Sequence, residues 1–227
     1  MSIEKRIEHI KHLMNQAANI AGRDPKDISL LAVSKGQPST AIKQAINYGI
    51  EHVGENYLQE SLEKMAALPN TNICWHFIGP IQSNKAKDIA THFQWVHSID
   101  RIKVTEKINQ ARSQLSQPLN VCLQVNLDDE PSKAGIHPES LSEIIKAVLD
   151  LPHLKLRGLM AIPKALKDEE QQYQSYMRLN HLLTSLNETY DLSMDTLSMG
   201  MSNDYVAAIR AGSTIIRVGR AIFGERQ

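Results

Sequence analysis

Two regions of this sequence hold residue types that could do chemistry together. One is Leu30-Leu31-Ala32-Val33-Ser34-Lys35-Gly36-Gln37-Pro38, an apolar run that reaches a lysine before glycine and proline break it. The other is a pair of small-residue stretches late in the chain, Ser198-Met199-Gly200-Met201-Ser202-Asn203-Asp204 and Arg217-Val218-Gly219-Arg220-Ala221-Ile222-Phe223-Gly224. A lysine half out of water tends towards a neutral amine, which can form a Schiff base with an aldehyde. Small residues opening a helix let backbone N–H groups face an anion such as phosphate. Ser198 or Ser202 can add a hydroxyl, and Gly219 lets the backbone come close. An aldehyde and a phosphate on one ligand describe pyridoxal 5′-phosphate. They also describe a sugar phosphate in a Schiff-base aldolase, for which Lys164, after Gly158-Leu159-Met160-Ala161-Ile162-Pro163, competes as the amine. The plainer alternatives stay open: solvated lysines, and serines and glycines that only cap and turn, at about 1 kcal/mol per cap.

These residues act together only if the fold gathers them. A short apolar run bounded by Gly and Pro reads as a strand buried on both faces, with Lys35 at its carboxyl end. Further strands are expected over 50–53, 73–78, 95–99, 119–125, 154–162, 196–199 and 214–218, the first covering 28–33. Helical spacing is expected over 3–20, 38–48, 57–68, 83–91, 168–190 and 204–211. Two more helices follow, one capped by Asp100 and one opened by His137-Pro138-Glu139. Eight strands alternating with helices predict an α/β protein, a single closed (β/α)₈ TIM-type barrel with an additional N-terminal helix, forming one domain over 1–227. An open doubly wound sheet usually carries Gly-x-Gly-x-x-Gly after its first strand, and Lys35-Gly36-Gln37-Pro38 lacks it. In a barrel, Lys35, Glu55, Asn56, Gly79, Ser98, Asn126, Lys164, Ser198 to Ser202, Gly219 and Arg220 would share one rim.

Composition removes several function classes. Lys plus Arg and Asp plus Glu are 25 each, so no net field draws nucleic acid or an anionic membrane. No apolar run approaches the ~20 residues that span a bilayer. The amino terminus, Met1-Ser2-Ile3-Glu4-Lys5-Arg6, lacks an apolar signal core. Cys74 and Cys122 sit in apolar segments, as free thiols do in a reducing compartment, so a cytoplasmic location is expected. Neither cysteine nor histidine spacing shows a metal motif.

Six stretches, in order, resemble the pyridoxal phosphate homeostasis protein family. They are Ala32-Val33-Ser34-Lys35, Val53-Gly54-Glu55-Asn56-Tyr57-Leu58-Gln59-Glu60, His76-Phe77-Ile78-Gly79-Pro80-Ile81-Gln82-Ser83-Asn84-Lys85, Arg157-Gly158-Leu159-Met160-Ala161-Ile162-Pro163, Leu197-Ser198-Met199-Gly200-Met201-Ser202, and Arg217 to Gly224. The resemblance implies a barrel like the amino-terminal domain of alanine racemase. It implies that Lys35 carries pyridoxal phosphate as an internal aldimine and that Asn56 lies beside the cofactor. Ser202, with Ser198 as a neighbour, and the backbone of Gly219 and Arg220 then match the phosphate site. Arg217 matches an arginine facing the pyridine nitrogen. Position 220 often carries a small hydroxyl residue in the family, so Arg220 offers its N–H rather than a hydroxyl. Lys133 looks like a family lysine linked to cofactor transfer.

That resemblance implies a binding protein rather than an enzyme. Arginine beside the pyridine nitrogen disfavours its protonation and leaves the ring a poor electron sink. Racemases of this type add a tyrosine base from a second domain, for which these 227 residues leave no room, and neither Tyr57 nor Tyr205 is marked as a base. The expectation is a cytoplasmic monomer that buffers pyridoxal phosphate or delivers it to apo-enzymes, with effects on amino- and keto-acid pools. The alternative is a low-activity racemase-type enzyme.

Overall fold

The computed structural model describes residues 1–128 and 134–225. Lys133, the expected transfer lysine, lies outside the described residues. Eight parallel strands close into a barrel in the order β1 to β8, with β8 returning to pair with β1. The strands are β1 Ser29–Val33, β2 His52–Glu55, β3 Cys74–Phe77, β4 Trp95–Ile99, β5 Leu119–Val125, β6 Leu154–Ala161, β7 Thr196–Ser198 and β8 Ile215–Val218. The barrel expected from the alternation is therefore present.

The helices are α1 Ile3–Ile20, α2 Ser39–Asn47, α3 Leu58–Ala67, α4 Ala86–His92, α5 Ile102–Arg112, α6 Leu141–Leu149, α7 Glu169–Tyr190, α8 Tyr205–Arg210 and α9 Arg220–Phe223. Each buries an apolar stripe, as helical periodicity requires. In α6 that stripe is Leu141, Ile144, Ile145 and Val148, all buried. In α1 it is Ile7, Ile10, Met14, Ala17 and Ala18, packed against α2, α8 and α9, the helices flanking the β1–β8 closure. Among the described residues no helix is long and apolar enough to cross a membrane.

Several boundaries differ from expectation, and three of them have a visible cause. β2 starts two residues late and includes Gly54 and Glu55, because both stay in register with β3, opposite His76 and Phe77. α4 begins at Ala86 rather than near Ser83, since 83–85 form a turn closed by Lys85 N–H to Gln82 O. Asp100 does not cap α5. The cap position is Arg101, and the Asp100 carboxylate is engaged by Arg101 Nε at 2.9 Å.

Two glycines shape the rim. A Cβ on Gly79 would lie 2.1 Å from the Asn56 carbonyl oxygen, so only glycine lets the turn after β3 pass behind Asn56. Gly200, at φ +92°, turns the chain after β7 so closely over α8 that a Cβ would meet that of Ala208 at 2.6 Å.

Candidate cofactor site

A cavity of about 710 Å³ opens at the carboxyl ends of the strands. Lys35, Asn56, Ser202, Arg217, Gly219 and Arg220 line it. Val33, Ile78, Met160 and Ile162 supply apolar wall. The volume falls within the ~300–1,000 Å³ of small-molecule sites. Of the residues nominated from sequence, the structure gathers these six here and sets Ser198 beneath them. Lys164 is exposed, is not among the lining residues, and its backbone N–H donates to Asp128 Oδ2 at 2.7 Å.

The backbone around Lys35 is clamped from behind. The Ser34 hydroxyl donates to Glu55 Oε1 at 2.5 Å. Lys64 Nζ on α3 donates to the Ser34 carbonyl at 2.6 Å, to Glu55 Oε1 at 2.6 Å and to Glu60 Oε1 at 2.5 Å. Glu60 in turn accepts the Gly36 N–H at 2.5 Å. Residues on both sides of Lys35 are thus tied to one buried ion cluster. Burial pushes the Glu55 carboxyl above its usual range, against the pull of Lys64 and Ser34. Its place at a strand end predicts Glu55 among the polar residues of the rim. Instead it is fully buried and turned towards α3.

Asn56, the next residue, turns into the cavity wall. Its Oδ1 is buried and has no hydrogen-bond partner among the described residues, an orphan that a polar ligand would satisfy. Ser98, also expected on the rim, is buried and holds the Gly79 carbonyl at 2.5 Å, bracing the turn behind Asn56.

Arg217 enters the cavity from β8 while its guanidinium is held below. Nη1 donates to the Ser198 carbonyl and to Ser198 Oγ, the latter at 2.9 Å, and Nη2 donates to the Ala161 carbonyl at 2.9 Å. The Ser198 hydroxyl is fully buried and spent on Arg217 and His97, so it orients Arg217 rather than walling the cavity. The loop after β7 is pinned by the Arg217 N–H to Gly200 O at 2.9 Å and by the Met201 N–H to Asp204 Oδ1 at 2.6 Å, with Ser202 on its turn.

Beneath this floor a chain of side chains threads the barrel. His97 Nδ1 meets Ser198 Oγ at 2.7 Å, His97 Nε2 meets His76 Nδ1 at 2.9 Å, and His76 Nε2 meets His52 Nδ1 at 2.9 Å. Arginine can only donate, so Ser198 Oγ accepts from Arg217, and its single proton finds an acceptor in His97 Nδ1. His97 then carries its proton on Nε2 and donates to His76 Nδ1, and His76 donates from Nε2 to His52 Nδ1. All three rings are neutral in this arrangement, consistent with burial pushing His76 well below the usual value. Burial and the nearby Arg217 cation likewise push His97 down to about 3.

Neutral buried histidines couple folding to pH. Unfolded histidine binds a proton near the ordinary 6.5, whereas folded His97 does so only near 3. Between those values the unfolded chain holds more protons, so stability drops as pH falls, by about 1.4 kcal/mol per pH unit for each histidine. The urea midpoint is expected to fall across this window, and a His97→Asn variant to show a shallower slope. Equal slopes in the two proteins would refute the assignment.

Comparison with known proteins bears on what this architecture holds. A family model described as "Alanine racemase, N-terminal domain" matches residues 6–227. The pyridoxal phosphate homeostasis protein of Pseudomonas aeruginosa is 49% identical over 99% of this chain and 96% of its own length. The chain belongs to the pyridoxal phosphate homeostasis protein family. A further relative, PipY of Synechococcus elongatus, has been solved with PLP bound; it is 32% identical, aligns over 93% of this chain and all of its own, and superposes with a TM-score of 0.82. Alanine racemase of Clostridium difficile shares the fold, with a TM-score of 0.77 at 15% identity, and this chain covers 56% of it.

Some contributors to the site escaped sequence reading. Nothing in the sequence marks Lys64 apart from other helix charges, and Glu60 stands only as the last residue of the Val53–Glu60 stretch. The signal for His76 and His97 was a polar residue inside each apolar strand, between Trp75 and Phe77 and after Val96.

Proposed function

We propose that this protein binds pyridoxal 5′-phosphate, carries it covalently on Lys35, and serves its homeostasis in the cytoplasm without turning over a substrate. The observation that carries the reading is the convergence of Lys35, Asn56, Ser202, Arg217, Gly219 and Arg220 on one cavity. Lys35 supplies the amine. Ser202 and the backbone of Gly219 and Arg220 take the phosphate, Arg217 takes the ring nitrogen, and the orphaned Asn56 Oδ1 takes a polar group of the ligand. One chain provides every one of these groups, so the site is complete in a monomer. Delivery to apo-enzymes follows from the same reading, since a carrier that does not consume its cofactor can release it.

Bound pyridoxal phosphate supplies an aldehyde and, in enzymes, an electron-withdrawing ring. The protein's own residues supply little to exploit the ring. Arg217 is a fixed cation that opposes a second charge on the nitrogen it faces. Among the described cavity residues there is no tyrosine or histidine to move a proton. Relatives of nearly equal length bear the homeostasis name rather than an enzyme's.

The purified chain is expected to show the visible absorbance of lysine-bound pyridoxal phosphate. It should leave the α-protons of a panel of L-amino acids unexchanged in deuterium oxide. Exchange that depends on Lys35 would instead support a low-activity racemase-type enzyme, the reading favoured by the shared fold with alanine racemase.

A further inference from the structure

At the opposite mouth of the barrel from the cavity, three groups suited to a metal ion come together. His52 and Cys74 are the first residues of β2 and β3 and stand in register with each other. His76 is two residues beyond Cys74, and the strand's period of two puts both on one face. One donor atom of each of the three lies within 4.8 Å of the other two. We propose that His52, Cys74 and His76 form a binding site for a zinc-type divalent transition ion.

The donor chemistry selects this class. Two imidazoles and a thiol suit zinc and its neighbours, whereas calcium and magnesium ask for oxygen ligands. His52 Nδ1 and His76 Nε2 already face each other at 2.9 Å. Zinc–nitrogen bonds of ~2.0–2.1 Å in tetrahedral geometry need roughly 3.3 Å between such atoms, a change of a few tenths of an ångström. All three residues are borne on strands rather than loops, which favours a preset geometry. The His76 ring is held by stacking on Trp95, with centroids 5.5 Å apart and planes at 12°. Its other nitrogen has a hydrogen-bond partner in His97, as metal-bound histidines usually do. His52 and Cys74 are only half buried, leaving an entry path and a fourth position for water.

Occupancy would reach the other mouth. The ion takes the lone pair that His52 Nδ1 presents, and Cys74 releases its thiol proton to solvent as sulfur binds. The ion also needs a lone pair on His76 Nε2, so that ring must carry its single proton on Nδ1 and donate to His97. His97 then carries its own proton on Nδ1 and donates to Ser198 Oγ, which accepts from Arg217 as well, and the Ser198 hydroxyl proton turns away from the ring. Each imidazole keeps one proton, but every bond from His76 to Ser198 reverses. A metal at one end thereby resets the partner of the arginine that lines the cavity at the other.

The site does not depend on the cofactor reading, and its test needs no cofactor signal. The reduced full-length chain is titrated with cobalt(II) without oxygen. The expected result is one equivalent bound, with a thiolate-to-cobalt charge-transfer band and tetrahedral visible bands that zinc(II) bleaches. Cys74→Ser should remove the charge-transfer band, and His52→Ala should weaken binding by at least about tenfold, the lower cost of losing even an outer-shell partner. Nitrogen-15 NMR should show the His97 proton move from Nε2 to Nδ1 at zinc saturation. Absence of the charge-transfer band, its survival in Cys74→Ser, or its loss in Cys122→Ser would overturn the site. An unmoved His97 proton at full zinc occupancy would overturn the coupling.

Discussion

A Lys35→Ala chain is expected to be purified colourless, with no pyridoxal phosphate surviving gel filtration or trapped by borohydride. In the parent protein, reduction and peptide mapping should place the cofactor mass on Lys35 alone. The effect is all-or-none because the covalent bond needs this one amine, and the other contacts are exchangeable polar ones. Ser202, Arg217 and the backbone at 219–220 are untouched, so weak reversible binding should persist and be visible in an equilibrium titration. The fold should be indifferent: Lys35 is only part-buried at a strand end, and such substitutions usually change stability by under about 0.5 kcal/mol. If the absorbance persisted in Lys35→Ala and mapped to another lysine, the assignment would fail.

The largest loss of stability is expected from Lys64→Met. The Lys64 side chain is 7% exposed and Glu55 is fully buried, so removing the cation strands a carboxylate inside the protein. Breaking a buried pair in this way costs about 3–5 kcal/mol. In a chain of this size that corresponds to a drop in Tm of roughly 6–20 °C. The deficit should be greatest at neutral pH. Burial already raises the folded carboxyl pKa of Glu55, and losing Lys64 raises it further. A carboxyl whose folded pKa exceeds its unfolded value stabilises most at acid pH and loses that contribution as pH rises through the gap. Thermal melts from about pH 4 to pH 8 should therefore show the variant and parent converging towards acid. Adding Glu55→Gln should recover part of the loss at neutral pH, because no charge is then left buried. No recovery would mean that packing of the Lys64 stem, and not the ion pair, holds the segment. The Lys64→Met variant should retain less cofactor, since Ser34 loses its anchor and the Glu60 carboxylate that holds the Gly36 N–H loses its cation.

The barrel could be read from the sequence because its signal is repeated. Eight apolar runs, each closed by turn residues, leave little choice for the topology. The rim could be read because strand ends carry polar and small residues that apolar strands do not need. What escaped was direction and partnership. Glu55 and Asn56 are neighbours with the same apparent place on the rim, yet one turns back to Lys64 and the other into the cavity. Strand alternation separates them only once the end of β2 is known, and that end lay two residues beyond the expected one. Ser198 and Ser202 are both candidates for a hydroxyl contact, but of the two only Ser202 lines the cavity. The histidine chain joins β2, β3, β4 and β7, so no local spacing could reveal it. The His52, Cys74 and His76 cluster likewise draws on two strands and matches no linear motif.

The closure of the barrel by its first and last strands sets a timetable for the protein's birth. Leu31 on β1 pairs with Arg217 on β8. At about 5–20 residues per second, synthesis separates the appearance of those two strands by roughly 10–40 s. Throughout that interval β1 presents an open edge, the kind of surface that chaperones shield and stray strands attack. The amine of Lys35 exists for all of it, but Ser202, Arg217, Gly219 and Arg220 do not. A nascent chain thus has half a pocket, so stable cofactor loading belongs to the finished protein, and truncation before β8 leaves both the pocket and the sheet unsealed.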